Sequence, residues 1–174
     1  RPSTTGALPN GWLEAGKPIR GGVPVCWPWF GGKGPVAGSP LHGFARLAEW
    51  TVESAARLPD GRATITLVLR SEAVRVPQAA AWWPHAFELR YTATAGSDLT
   101  LTLSTRNTGS APFTITQALH TYFAVSDVRS VRVHGLEGAE YIDTVGPETL
   151  RRQGPEPVAV RAEIDNVYRG HTGQ

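Results

Sequence analysis

Period-two alternation of apolar residues runs through most of this chain and leaves little room for any architecture but sheets. In "RATITLVLR", Ala63, Ile65, Leu67 and Leu69 fall on one side of an extended backbone, because successive side chains of a strand point to opposite faces. "FELRYTA" repeats the pattern with Phe87, Leu89 and Tyr91, "DLTLTLSTR" with Leu99, Leu101 and Leu103, and "SVRVHGL" with Val131 and Val133. Turn-forming clusters separate the runs: "PDG" at 59–61, "AGSD" at 95–98, "NTGSAP" at 107–112, "LEGAE" at 136–140 and "RQGPEP" at 152–157. No segment of ten or more residues carries a helical period. The expectation is an all-β chain folded as a large antiparallel sandwich. No internal repeat or low-complexity tract interrupts it.

One alternating run is unusual. It begins at Phe113 and passes through "QALHTYFAV". Phe113, Ile115, Leu119 and Phe123 share one parity; Thr114, Thr116, Ala118, His120 and Tyr122 share the other. A half-buried strand gives its second face to water, and threonine suits that. His120 beside Tyr122 sets a titratable ring next to a phenol. That face is either a solvated edge or the floor of a site, and a strand histidine alone is more often structural.

Residues 18–44, "PIRGGVPVCWPWFGGKGPVAGSPLHGF", break the meander. Glycine opens unusual backbone angles and proline stiffens the chain, so this reads as a loop of defined shape. It either covers one end of the sandwich, filled by Trp27, Trp29 and Phe30, or forms a wall of a pocket.

Composition narrows the classes. The 174 residues suit one domain, 1–174, with a sizeable core. Hydrophobic residues are 41% and charged residues 18%, a globular rather than disordered composition. The net charge of +2 is spread over scattered Lys and Arg, which gives no nucleic-acid footprint. No apolar run approaches the roughly 20 residues that span a bilayer. A single cysteine, Cys26, excludes an internal disulfide framework and suits a reducing compartment, so a cytoplasmic location is expected. There is no Cys/His cluster with zinc spacing, no nucleotide-type glycine loop and no serine nucleophile elbow. Neither a metal nor a cofactor is expected. His85, His134, His171, Asp143 and Cys26 read as structural.

Three stretches, "KPIRGGVPVCWPWFGG" (17–32), "LHGFARLAEW" (41–50) and "ALHTYFAVSDV" (118–128), resemble the glucose-6-phosphate 1-epimerases of the aldose 1-epimerase superfamily. "EIDNVY" (163–168) is similar to a fourth family segment. The resemblance implies a galactose mutarotase-like β-supersandwich and interconversion of the α and β anomers of a hexose 6-phosphate. Ring opening needs an acid and a base on different sides of the sugar. The resemblance gives the acid to His120. It implies that His42 hydrogen-bonds the substrate, that Arg20 and Arg46 converge on its phosphate, whose oxygens match a guanidinium fork, and that Asp165 accepts from sugar hydroxyls. His120 is then expected to face a polar cleft shared with His42, Arg46 and Asp165.

The chain departs from the family in two places. Leu41 stands where the family often has glutamine, which bears on phosphosugar specificity. Family members also continue past the aspartate segment and supply a general-base glutamate from a later strand, and no match to it lies in these 174 residues. The chain starts with Arg rather than Met. The expectation is a sandwich lacking its C-terminal strands, supplied elsewhere. The competing readings are a non-catalytic carbohydrate-binding module and a mutarotase of unphosphorylated aldoses. The sequence leaves the oligomeric state open.

Overall fold

The computed structural model describes residues 21–170. They fall into two compact units, Gly21–Tyr122 and a second whose described part is 123–170. The first unit contains β1 (Val25–Cys26), β2 (Thr51–Arg57), β3 (Ala63–Arg70), β4 (Phe87–Ala95), β5 (Leu99–Asn107) and β6 (Ala118–Leu119). Strands β2 to β5 form an antiparallel meander in chain order. Its hairpins turn where "PDG" and "AGSD" place them.

Alternation sorts the two faces of this sheet. One carries Thr64 against Thr94, hydroxyls 3.1 Å apart, and Thr66 against Thr92, 3.0 Å apart. The same face carries a ring of ion pairs. Arg90 donates to Glu53 at 2.7 Å and to Glu88 at 3.1 Å, and Arg70 donates to Glu88 at 2.8 Å. The register of β2 on β3 slips between Val52 and Ser54. This bulge leaves Glu53 unpaired in the ladder and lets it reach both arginines. The two guanidinium groups hold the Glu88 carboxyl below the usual carboxylate range.

The opposite face is apolar, and at one end it is covered. Leu69, Phe87 and Leu89 are buried there beneath Trp27, Trp29 and Phe44 of the 21–50 segment. The Trp27 ring centroid lies 4.4 Å from that of Phe87 and 5.9 Å from those of Phe44 and Trp83. Main-chain bonds hold the cover in shape. The Ala45 N–H donates to the Trp27 carbonyl at 3.2 Å, Trp29 Nε1 to the Pro40 carbonyl at 2.8 Å, and Trp50 Nε1 to the Ala45 carbonyl at 2.9 Å. Gly43 has φ of 72°, and a Cβ there would overlap the Trp27 carbonyl. Only glycine meets both demands. Phe30 corrects the sequence reading: it is exposed rather than part of the core filling.

The run from Phe113 is a second correction. Only Ala118–Leu119 pairs as a strand, with Val25–Cys26. The same register nevertheless continues on both sides. Thr116 donates to the Pro28 carbonyl at 3.1 Å, His120 to the Pro24 carbonyl at 3.0 Å, and Tyr122 to the Gly22 carbonyl at 3.0 Å. In an antiparallel ladder, each such pair exchanges two bonds. Pro24 and Pro28 have no N–H to return, so the ladder is half made at both positions. The apolar parity also stops early. Phe113, Ile115 and Leu119 pack against the core, whereas Phe123 is 81% exposed.

The second unit contains β7 (Arg132–Val133), β8 (Glu140–Asp143), β9 (Thr149–Arg152), β10 (Val158–Ala159) and β11 (Asn166–Arg169). β8 lies between β11 and β9, and β7 pairs with β10, all antiparallel. Tyr141 and Tyr168 pack with ring centroids 5.0 Å apart, and the Tyr168 hydroxyl donates to Gln153 at 2.9 Å. Among the described residues the only α-helix is α1 (Ala79–Trp82), beside three single 3-10 turns. The fold is all-β with antiparallel sheets, as the alternation requires.

Candidate active site

His120 owes its position to the half-made ladder with β1. Its N–H is fixed on Pro24 and that of Tyr122 on Gly22, so both side chains leave the same side of an extended backbone. Their rings stack, with centroids 5.0 Å apart and planes 30° apart. Leu119, of the opposite parity, packs on the core. The expected orientation of His120, away from the apolar side and beside Tyr122, therefore holds locally.

His42 arrives from the cover. It adopts a left-handed backbone with φ of 63°, uncommon outside glycine but several-fold enriched for histidine among other residues. Two hydrogen bonds tie it to Gly31. The His42 N–H donates to the Gly31 carbonyl at 2.9 Å, and the Gly31 N–H donates to His42 Nδ1 at 3.0 Å. The imidazole then meets His120 edge to face, with centroids 5.7 Å apart, and Phe30 at 4.9 Å. The result is a continuous row of rings: Phe30, His42, His120, Tyr122.

Arg46 sits in the 3-10 turn Ala45–Leu47 that leads from this loop into β2. Its Nη2 donates to the carbonyl of Leu41 at 2.7 Å. Its Nε is buried without a hydrogen-bond partner among the described residues, a costly arrangement for a charged donor. One edge of the guanidinium is thus committed to the loop next to His42. Leu41 contributes through its main chain, so the missing glutamine side chain leaves that bond intact. Cys26, fully buried on β1, lies within the field of Arg46. Burial pushes its thiol up, and the Arg46 charge offsets part of that. Its inert, packed character agrees with the sequence reading.

The structure brings together His120 and His42 and ties Arg46 to the carbonyl of Leu41, the residue before His42 in the chain. Arg20 lies outside the described residues, and with it the expected convergence of two arginines. Asp165 belongs to the second unit. It is exposed there, and its carbonyl accepts from the Thr144 N–H at 2.8 Å and hydroxyl at 2.9 Å. A cleft of about 340 Å³ beside it is lined by Tyr141, Asp143, Gln153, Glu163 and Asn166. In the first unit, a concavity of about 400 Å³ lined by Phe44, Glu72, Gln78, Trp83 and His85 includes none of His42, Arg46 and His120. His85 packs on Trp83 at 4.7 Å, and Asp143 pairs with Arg151 at 3.2 Å; both have structural roles.

Sequence reasoning missed Phe30 as a neighbour of His42, Gly31 as its anchor and the Leu41 carbonyl as the seat of Arg46. The two glycines of "FGG" were a usable signal for a tight main-chain approach. The partner carbonyls left none. Chemically, the row of rings offers two imidazoles and a phenol, and the loop adds a guanidinium seated on the Leu41 carbonyl. These groups can donate hydrogen bonds, move a proton and hold an anion.

Comparisons with known proteins give the family. An aldose 1-epimerase family model matches residues 10–174. A Cenchrus ciliaris protein named "Putative glucose-6-phosphate 1-epimerase" is 39% identical over 163 residues, covering 87% of this chain and 46% of the relative. The Escherichia coli K12 protein of the same name is 42% identical over 142 residues, covering 77% of this chain and 44% of its own length. Among solved structures, the Salmonella typhimurium protein described as "a putative mutarotase (YeaD)" superposes with a TM-score of 0.78 at 33% identity, over 91% of this chain and 50% of that one. The chain thus spans about half the length of the relatives it matches. Alternating strands, ordered cover and motif-borne histidines all point the same way, and the chain belongs to the aldose 1-epimerase family.

Proposed function

We propose that the protein interconverts the α and β anomers of a hexose 6-phosphate, with glucose 6-phosphate the foremost candidate. The observation that carries this reading is the pairing of His42 and His120, 5.7 Å apart, with Arg46 bound to the carbonyl of the preceding Leu41. In ring opening, a base takes the proton of the anomeric hydroxyl. The bond from C1 to the ring oxygen breaks, its electron pair goes to that oxygen, and His120 protonates it there. Rotation about C1–C2 and the reverse sequence close the ring on the other face. His42 donates to a sugar oxygen, Arg46 with Arg20 holds the phosphate, and Asp165 accepts from hydroxyls. Imidazole suits the acid role because its ordinary pKa lies near neutrality. The family resemblance gives the base to a glutamate of a later strand; if the 174 residues alone exchange anomers, Asp165 and Glu163 are the carboxylates to test first.

The test is exchange spectroscopy between α- and β-glucose 6-phosphate, using the polypeptide as its gene encodes it. His120→Asn keeps hydrogen bonding but removes the titrating acid. The expected result is exchange slowed about 10²-fold or more, with binding changed less. Exchange unaffected by His120→Asn overturns the acid assignment. Sugar binding without any exchange favours a binding module. Equal rates on glucose and glucose 6-phosphate remove the phosphate from the reading.

A further inference from the structure

We propose that the main chain of Gly31 fixes the protonation of His42, so that this ring meets its ligand as a neutral imidazole that donates only through Nε2. The last clause rests on the mutarotase reading; the first does not.

His42 and Gly31 are joined by a two-way bond. The His42 N–H donates to the Gly31 carbonyl at 2.9 Å, and the Gly31 N–H donates to His42 Nδ1 at 3.0 Å. A nitrogen that accepts a hydrogen bond presents its lone pair and cannot carry a proton. The proton of the neutral ring therefore sits on Nε2. Protonating Nδ1 would set its N–H against the N–H of Gly31 and break the bond. Both residues are left-handed, with φ of 68° at Gly31 and 63° at His42, so the backbone geometry and the ring orientation are set together. Packing then limits ring rotation: the Phe30 ring lies at 4.9 Å and the His120 ring at 5.7 Å.

The consequence is a division of labour between two neighbouring imidazoles. His42 is a donor of fixed sense, and Gly31 is its positioning residue, acting through a main-chain N–H. Among the described residues, no main-chain N–H of this loop donates to the His120 ring. The protonation change needed for catalysis then falls to His120 rather than His42. Two histidines free to exchange roles would populate unproductive protonation states; the Gly31 bond removes them.

The test reads protonation directly, in the free protein. Protein carrying ¹⁵N-labelled histidine gives long-range ring correlations that distinguish the two neutral tautomers and the cation. The expected His42 signature at neutral pH is an unprotonated Nδ1 and a protonated Nε2. A protonated Nδ1, an imidazolium, or rapid averaging between tautomers overturns the proposal. This readout needs no sugar and no turnover, so it stands or fails separately from the mutarotase reading. Two variants follow the same logic. His42→Asn tolerates the left-handed backbone and offers Oδ1 to the Gly31 N–H, but has no donor at the Nε2 position. It is expected to keep the thermal midpoint of the parent and to bind glucose 6-phosphate about 10-fold more weakly. His42→Leu keeps the main-chain bond to Gly31 but removes the one accepted by the ring, and is expected to lower the midpoint as well. Equal midpoints for the Asn and Leu variants overturn the Gly31 bond as the anchor, and unweakened binding by His42→Asn overturns the donor role.

Discussion

The two ends of the four-stranded sheet are built from the same strands and the same alternation, yet they have different fates. At one end, Leu69 is 1% and Leu89 0% exposed; toward the other, on the same face, Ile65 is 37% and Leu99 60% exposed. The distinction lies in the aperiodic segment 21–50, which lays Trp27, Trp29 and Phe44 over the first end only. Its last residues also deliver His42 and Arg46. Covering the sheet and building the candidate site are therefore one structural event. Alternation determines which face is apolar, while an aperiodic loop determines where that face becomes a core.

The largest effect that can break this comparison is at Trp27. Trp27→Ala is expected to destabilise the fold by about 3–5 kcal/mol, since it empties the centre of the aromatic cover. Leu99→Ala, at the open end, is expected to stay within about 0.5 kcal/mol. Urea denaturation of both variants measures the contrast, and similar losses would mean the two ends are energetically alike.

A smaller effect sharpens the comparison through Cys26, beneath the cover. Its thiol is pushed above its ordinary value by burial. The sign is then fixed. The thiol's contribution to stability is whole below its unfolded pKa, about 8.5, and is lost as pH rises through the higher folded value. Thiol reagents at pH 8 are expected to label Cys26 only as the protein unfolds. Rapid labelling of the native protein would mean that the cover is open.

Much of the sheet was legible beforehand. The Ile65–Leu67–Leu69 and Phe87–Leu89–Tyr91 rows occupy one face as read, and the parity of His120 and Tyr122 sends both the same way. The strand around them was over-read, because Pro24 and Pro28 sit on the partner and return no hydrogen bond. The sequence carried that information, but in a segment taken only as loop. Phe30 was read as core filling in one of the two readings of the loop, and its contact with His42 depends on the fold of that loop. The Gly31 and Leu41 contacts are made by main-chain atoms, which have no residue type to read. The roles of Arg20, His42, Arg46, His120 and Asp165 came from motif resemblance, with His120 also marked by its parity, and of these His42 and His120 are in ring contact.

The most direct test of the central claim, that the covered end carries the site, is a backbone amide titration of the encoded polypeptide with glucose 6-phosphate. The account predicts shifts confined to the loop and its neighbours, at Phe30, Gly31, His42, Arg46, His120 and Tyr122 within the first unit, with Ile65, Leu99 and Leu101 unmoved. Shifts at the open end, or in the concavity of Trp83 and His85, with His42 and His120 silent, would contradict it.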